Sequence, residues 1–136
     1  MIVDTSALLA FYHPGERRHR DVVEAVEAGA RDPLVVSPYV IAELDYLLAE
    51  RLGVDDELSV LGDLASGAYD LAQFDTDDLA EAIRVVEKYR DQDIGVADAS
   101  IVVLAQRYGT REILTLDRRH FGVLRPLQGG RFKLLP

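Results

Sequence analysis

Segments with the pattern of strands and segments with the pattern of helices alternate along the chain, and this alternation restricts the fold more than any other feature. Short apolar runs typical of buried strands occur at residues 2–3, 34–37, 69–74 and 113–116. Amphipathic periodicity predicts helices over residues 16–30, 39–51, 55–66, 76–91 and 96–108. Because neighbouring parallel strands need a crossover, which helices usually supply, we predict a three-layer α/β/α sandwich with a mostly parallel central sheet.

The length and hydrophobicity of the chain predict one domain, spanning residues 1–136. Chains of this length form a single core, and apolar residues, 49% of the sequence, are spread along all of it. The closing segment LQGGRFKLLP could add a short final strand after a Gly-Gly turn. No apolar run approaches the ~18 residues of a membrane span, and no signal-peptide pattern opens the chain. We therefore expect a cytoplasmic protein that does not bind membranes.

Composition excludes several classes of chemistry. The chain has no cysteine, which excludes disulfides, zinc–thiolate sites and thiol catalysis. His13, His19 and His120 share no ligand spacing, so we expect no zinc site. The chain carries 24 acidic and 15 basic side chains, a formal charge of −9 at pH 7. Bulk electrostatic attraction alone would therefore not hold a nucleic acid.

Three aspartates lie where parallel sheets bind their ligands, beyond the carboxyl ends of the strands. Asp4 ends the first strand, Asp117 ends the strand ILTL, and Asp98 lies near the start of the helix VADASIVVLAQRY. On a helical wheel Asp98 falls roughly 60° from the centre of that helix's apolar stripe. The stripe consists of Ile101, Leu104, Ala105 and Tyr108. A lone carboxylate on this buried face would be desolvated unfavourably unless a cation or several donors meet it.

A fourth acid comes from the helix in SPYVIAELDYLL, where periodicity leaves two candidates open. Glu43 and Asp45 lie on opposite margins of the apolar stripe, each roughly 100° from its centre. Glu43 is nearer the sheet end of its helix. Simpler roles also remain open, because Asp4, Asp98 and Asp117 are preferred helix N-caps and Glu43 could be an exposed acid at the helix margin.

Four carboxylates that converge at one edge of a sheet would repel one another strongly. The only two lysines, Lys88 and Lys133, lie far from all of them in sequence. A divalent cation removes the repulsion, and Mg²⁺ or Mn²⁺ is typically held by one or two carboxylates together with substrate phosphate oxygens. Such an ion makes a water molecule more acidic and stabilises the leaving oxygen of a phosphodiester. The carboxylates therefore favour hydrolysis of a nucleic-acid backbone.

Four short motifs carry a resemblance to a known family. They are IVDTSALLA at the start, SPYVIAEL at about one third of the chain, GVADASIVVLA at about two thirds and ILTLDRRHF near the end. In these motifs the chain resembles PIN domains over essentially its whole length, and more narrowly the VapC-type toxins of bacterial toxin–antitoxin pairs. The resemblance implies a PIN-like parallel-sheet α/β/α sandwich.

The resemblance also implies an active site and an activity. Asp4, Glu43, Asp98 and Asp117 match the acidic metal-binding quartet of the family, so both metal-binding and catalytic roles are expected for them. The motif selects Glu43 over Asp45. The implied activity is that of an endoribonuclease that requires Mg²⁺ or Mn²⁺.

Five further residues have expected positions near this site. Ser6 and Thr115 match hydroxyl positions of the family, where they would orient a carboxylate or bind a water of the metal. Asp93 is expected at the surface or beside the acids. Arg118 and Arg119 adjoin the last acid and are candidates for contacts to RNA phosphates.

The family pattern further implies RNA as substrate, a homodimer, and a cognate antitoxin that inserts a segment into the site. The helix pair 39–51 and 55–66 carries leucines that could form part of a groove for a partner or belong to the core. These are Leu44, Leu47, Leu58, Leu61 and Leu64.

Three other functions remain as alternatives. A response-regulator signalling domain also places acids at strand ends with Mg²⁺, but it carries a paired acid after the first strand and a lysine after the last. A phosphatase of the haloacid-dehalogenase kind would have a second aspartate where Ser6 stands. A non-catalytic PIN-like module would bind RNA or protein without cleaving it.

Overall fold

The computed structural model describes residues 1–29 and 33–136 and shows a five-stranded parallel sheet flanked by helices, which confirms the predicted architecture. The strands are β1 (Ile2–Val3), β2 (Leu34–Val36), β3 (Tyr69–Leu71), β4 (Glu112–Leu114) and β5 (Lys133–Leu135). The helices are α1 (Thr5–Tyr12), α2 (His19–Ala28), α3 (Pro38–Arg51), α4 (Val54–Ala65), α5 (Thr76–Lys88), α6 (Val96–Arg107) and α7 (Arg118–Val123), with a 3₁₀ turn at Arg90–Gln92.

The order of the strands places a topological switch point at the centre of the sheet. The order is β3-β2-β1-β4-β5, and all four pairings are parallel. Ile2 is aligned with Val35 on one side and with Ile113 on the other. The chain leaves β1 toward β2 and leaves β4 toward β5, in opposite directions, so a crevice opens between the carboxyl ends of β1 and β4. Ligands of open parallel sheets bind at such a crevice.

The central strands are apolar on both faces because helices flank the sheet. Ile2, Val3, Val36 and Ile113 are fully buried. Burying such side chains stabilises the fold by about 1.5–3 kcal/mol each. The packed strands hold in place the residues that follow their carboxyl ends, among them Asp4 and Asp117.

Local capping explains where several helices begin. The Ser37 side chain accepts a hydrogen bond from the backbone N–H of Tyr39, and Pro38 occupies the first turn of α3. Asp75 and Asp78 form a capping box at the start of α5. The helix predicted to begin at residue 76 therefore begins there.

Several predicted boundaries need correction. The strand predicted over 69–74 ends at Leu71, and the helix predicted over 16–30 spans His19–Ala28, while residue 30 lies outside the described residues. The predicted set did not include α1 or α7. Within the described part of the chain, no helix has both the length and the apolar character needed to cross a membrane.

The middle of helix α6 is buried on all sides, whereas the sequence predicted a single apolar stripe. Every residue from 99 to 105 is buried, because α6 packs against β1, α3 and α5. Tyr108, assigned to the stripe, is 38% exposed. The start of α6 is thereby fixed rigidly beside the end of β1.

Candidate active site

A cavity of about 390 Å³ lies at the carboxyl end of the central strands and contains all four predicted acids. Asp4 follows β1, Glu43 lies in the second turn of α3, Asp98 in the first turn of α6, and Asp117 at the N-cap of α7. The other lining residues are Thr5, Ser6, Leu9, Leu47, Arg51, Asp93, Gly95, Ala97 and His120. Elements distant in sequence thus direct four carboxylates into one cavity.

Asp4 is the most deeply buried of these acids and is held by two hydroxyl groups. Its side chain caps α1 by accepting from the backbone N–H of Ser6, and its Oδ2 also accepts from the Ser6 hydroxyl. Thr115 Oγ1 donates to the same oxygen at 2.7 Å and accepts from the backbone N–H of Asp117 at 2.9 Å. Ser6 and Thr115 therefore orient a carboxylate, one of the two roles expected for them, and Thr115 links Asp4 to the segment that carries Asp117.

Burial sets the protonation behaviour of Asp4. Burial raises the pKa of Asp4 above its usual range, and the hydrogen bonds from Ser6 and Thr115 oppose that rise only in part. Asp4 is 5% exposed, and no Lys or Arg of the described residues lies within salt-bridge distance of it. Its negative charge is therefore poorly compensated by the protein itself.

Replacing Thr115 by valine should lower the free energy of unfolding by about 1–3 kcal/mol, because the fully buried hydroxyl satisfies Asp4 and the Asp117 N–H at once. Urea denaturation in EDTA measures the change. Thr76→Val, at an exposed helix start, serves as the control. Equal stability of the two variants would contradict the role of the Thr115 hydroxyl.

Asp98 is destabilised as an anion by its surroundings. Burial, followed by the charge of Asp4, raises the pKa of Asp98 to about 6; His120 opposes this effect, and Asp117 adds to it. The Asp98 side chain is 17% exposed. Two of the four carboxyl groups thus carry raised pKa values, as expected where like charges crowd a partly buried site.

Asp117 and Asp98 meet at one imidazole. His120 Nδ1 lies 3.0 Å from Asp117 Oδ2 and 3.2 Å from Asp98 Oδ2. The backbone N–H of His120 donates to Asp117 Oδ1 at 2.9 Å. From the sequence, His120 was considered only as a zinc ligand. Its spacing of three residues from Asp117 was the available signal, because this spacing puts both residues on one side of a short helix.

Glu43 is fixed by α1 and by the packing of α3 on α6. Its Oε2 accepts from the hydroxyl of Thr5, the residue after Asp4. The hydroxyls of Ser37, at the start of α3, and Ser100, on α6, lie 2.6 Å apart and are both fully buried. This hydroxyl pair joins the helix that carries Glu43 to the helix that carries Asp98.

Asp45, the alternative to Glu43, lies outside the cavity. It contacts α4 instead, where a hydrogen bond with Asp45 raises the pKa of Glu57. The structure thus separates two residues that helical periodicity could not distinguish.

The two arginines proposed for RNA contacts do not line the cavity. Arg118 donates to the carbonyl oxygen of Pro136, and Arg119 lies 3.6 Å from Asp93, which is exposed at the cavity. Arg51, at the end of α3, is the arginine among the lining residues. Arg51 was not predicted from the sequence, although Glu43, Leu47 and Arg51 follow one another at four-residue intervals along one helix.

The leucines of α3 and α4 divide between the core and the surface. Leu44 and Leu64 are buried in the core, and Leu47 lines the cavity. Leu58 is 62% exposed. Only part of the predicted groove is therefore available to a partner in this structure.

The donor set of the cavity fits a hard divalent cation, although no preformed site is present. Among the described residues, no three Asp, Glu or His side chains adopt a metal-binding arrangement. Glu43 and Asp117 accept hydrogen bonds within the protein. Four carboxylates nevertheless surround one space, and the pKa values of Asp4 and Asp98 are raised there. Oxygen donors with uncompensated negative charge suit Mg²⁺ or Mn²⁺.

Comparison with known proteins identifies the family. A family model described as the PIN domain matches residues 1–124. The chain belongs to the PIN-domain family. Over its full length this PIN domain is 59% identical to Ribonuclease VapC26 of Mycobacterium tuberculosis, with 100% of both chains covered. It is therefore of the VapC type, and the response-regulator and phosphatase alternatives are wrong.

Solved structures share the fold. The crystal structure of Mycobacterium tuberculosis VapC20, described as a sarcin-ricin loop cleaving toxin, matches this PIN domain with a TM-score of 0.84 at 18% identity, covering 99% of this chain and 98% of the other. The crystal structure of FitAcB from Neisseria gonorrhoeae matches with a TM-score of 0.69 at 18% identity, covering 97% and 96%. At this identity the two structures support the fold alone.

Proposed function

We propose that this PIN domain is an endoribonuclease that requires Mg²⁺ or Mn²⁺ and acts as the toxin of a toxin–antitoxin pair. The observation that carries the proposal is the meeting of Asp4, Glu43, Asp98 and Asp117 around one cavity at the switch point of the sheet. The name of the 59% identical relative, a ribonuclease, supports RNA as the substrate.

The residues of the cavity have distinct tasks in this proposal. Asp4, Glu43, Asp98 and Asp117 would hold the cation, and the hydroxyls of Ser6 and Thr115 keep Asp4 directed at it. When bound, Mg²⁺ or Mn²⁺ acidifies the attacking water and stabilises negative charge on the phosphodiester oxygens.

The remaining lining residues favour a nucleic-acid strand over a small ligand. Arg51 offers a guanidinium group to a backbone phosphate, a geometry that arginine suits. Leu9 and Leu47 add an apolar wall against which a nucleobase or ribose can pack. Arg119 would contribute a second phosphate contact if its ion pair with Asp93 opened. That ion pair is weak because both side chains are exposed to solvent.

Purified protein, freed of any partner, should cleave structured RNA in Mg²⁺ or Mn²⁺ and should lose this activity in excess EDTA. Gel analysis followed by mapping of the new 5′ ends measures cleavage and its position. Return of the same cut sites when Mg²⁺ is added back excludes a contaminating metal-independent nuclease. Undiminished cleavage in EDTA, or binding of RNA without cleavage in either metal, would contradict the proposal; the second result would favour the non-catalytic alternative.

A cognate antitoxin and a homodimer are further parts of the proposal. Exposed apolar side chains on α3 and α4, at Tyr46, Val54 and Leu58, offer contact area for a protein partner. Light scattering of the purified protein tests the dimer. Co-purification with the product of a neighbouring small reading frame, followed by loss of RNA cleavage in the complex, tests the antitoxin.

A further inference from the structure

One partly buried side chain at the site has no task in the mechanism described so far. His120 lies on α7 with its side chain 18% exposed, and its Nδ1 is within 3.2 Å of both Asp98 and Asp117. Its Nε2 is buried and has no hydrogen-bond partner among the described residues. A buried polar atom without a partner is costly, so the placement of this ring calls for a compensating role.

We propose that His120 is a positioning residue that holds the carboxylates of Asp98 and Asp117 side by side for the divalent cation. The inference rests on the proposed function, because it assigns these two carboxylates to the metal. Nδ1 lies 3.0 Å from one Oδ2 atom and 3.2 Å from the other, so in this proposal its proton attracts both carboxylates and fixes the direction of both groups. Hydrogen bonds to ligating carboxylates commonly tune metal sites in this way.

Helix capping does not explain the imidazole. The cap of α7 uses the backbone N–H of His120, which donates to Asp117 Oδ1, and any residue at this position would supply that donor. Phe121, which is 2% exposed, anchors α7 in the core. The ring of His120 is therefore free to act on the second oxygen of Asp117 and on Asp98, which belongs to a different helix.

The contacts also explain why the two acids can approach each other. Asp98 and Asp117 both direct an oxygen at one nitrogen, although the charge of Asp117 is among the causes that raise the pKa of Asp98. A shared donor offsets part of that repulsion before any cation binds. Asp98 and Asp117 thus lie side by side before a cation binds, although among the described residues no three side chains yet form a metal-binding arrangement; this lowers the cost of ordering those two on binding.

Two substitutions separate the hydrogen bond from the shape of the ring. His120→Phe keeps a planar ring but removes the donor, whereas His120→Asn places an amide N–H where Nδ1 lies. His13→Phe, a histidine outside the cavity, is the control. Electron paramagnetic resonance titration with Mn²⁺ measures the affinity of each protein without reference to RNA cleavage, and urea denaturation in EDTA measures its stability.

We expect His120→Phe to weaken Mn²⁺ binding about 10–100-fold, while His120→Asn stays within about 3-fold of the unaltered protein and His13→Phe has no effect. Unchanged or tighter binding by His120→Phe overturns the inference and leaves the ribonuclease proposal intact. Equal loss in the Asn and Phe variants also overturns it, because the donor would then not matter. Absence of Mn²⁺ binding by the unaltered protein would overturn both proposals.

Discussion

Asp98→Asn should lower the rate of RNA cleavage by about 10³-fold or more, because it removes a negative ligand from the centre of the acidic cavity without changing the size of the side chain. Asp4→Asn should have the same effect. Both variants should remain folded, since an amide oxygen at position 4 can still accept the hydrogen bonds of Ser6 and Thr115, and Asp98→Asn removes a charge that burial disfavours. Initial rates of cleavage of a defined RNA, measured in Mg²⁺, give the ratio.

Matched variants test whether position, and not charge alone, causes the loss. Asp91→Asn removes one exposed negative charge outside the cavity and should leave the rate unchanged. On α3, Glu43→Gln should abolish cleavage and Asp45→Asn should not, because only Glu43 lines the cavity. A rate for Asp98→Asn within about tenfold of the unaltered protein would remove Asp98 from the proposed metal ligands.

In EDTA, Asp98→Asn should make the protein more stable at pH 7.5 and should change its stability little at pH 4. The pKa of Asp98 is raised to about 6 in the folded protein from 3.8, so the folded state binds the proton more tightly than the unfolded state. The stability contributed by this group is therefore full below the unfolded value and is lost as the pH rises through about 6. At about 1.4 kcal/mol per unit, the gain for Asn at pH 7.5 is about 3 kcal/mol.

Urea denaturation of both proteins at several pH values measures this difference. Asp91→Asn should show no such pH dependence, because Asp91 is exposed. Added Mg²⁺ should stabilise the unaltered protein more than Asp98→Asn, since a ligand that binds only the folded state raises its stability. If the stability difference between the two proteins did not depend on pH, or if the unaltered protein were the more stable at pH 7.5, the ionised form of Asp98 would not be destabilised by the fold.

The strands and most helices could be predicted from the sequence, because the side chains that face the core must be apolar and therefore recur at the spacing of a strand or a helix. Four apolar runs and the segment after Gly-Gly correspond to the five strands, and four of the five predicted helices begin within one residue of the observed start. The ends were less accurate. An apolar run does not reveal where strand pairing stops. Strand β3 ends at Leu71, and the residues after it lead to the cap of α5 at Asp75. Helix α7, with six residues, is too short to show a helical period.

The candidate site could be predicted in part, because acids after parallel strands must meet at one edge of the sheet. The choice between Glu43 and Asp45 could not be made from periodicity, since it depends on which side of α3 faces the cavity and which faces α4. The roles of Arg51 and His120 also depend on packing between helices distant in sequence. Arg118 was predicted to contact RNA phosphates, but it donates a hydrogen bond to the carbonyl oxygen of Pro136, because β5 ends beside the start of α7.

The shared direction of the five strands gives the two ends of the chain unequal surroundings. Met1 precedes β1 at the edge of the sheet opposite the cavity, whereas Pro136 follows β5 at the same edge as the cavity and accepts a hydrogen bond from Arg118. An affinity tag fused before Met1 would therefore project away from the carboxylates, while a tag after Pro136 would lie near the approach to them. Assays of this protein are best made with an amino-terminal tag.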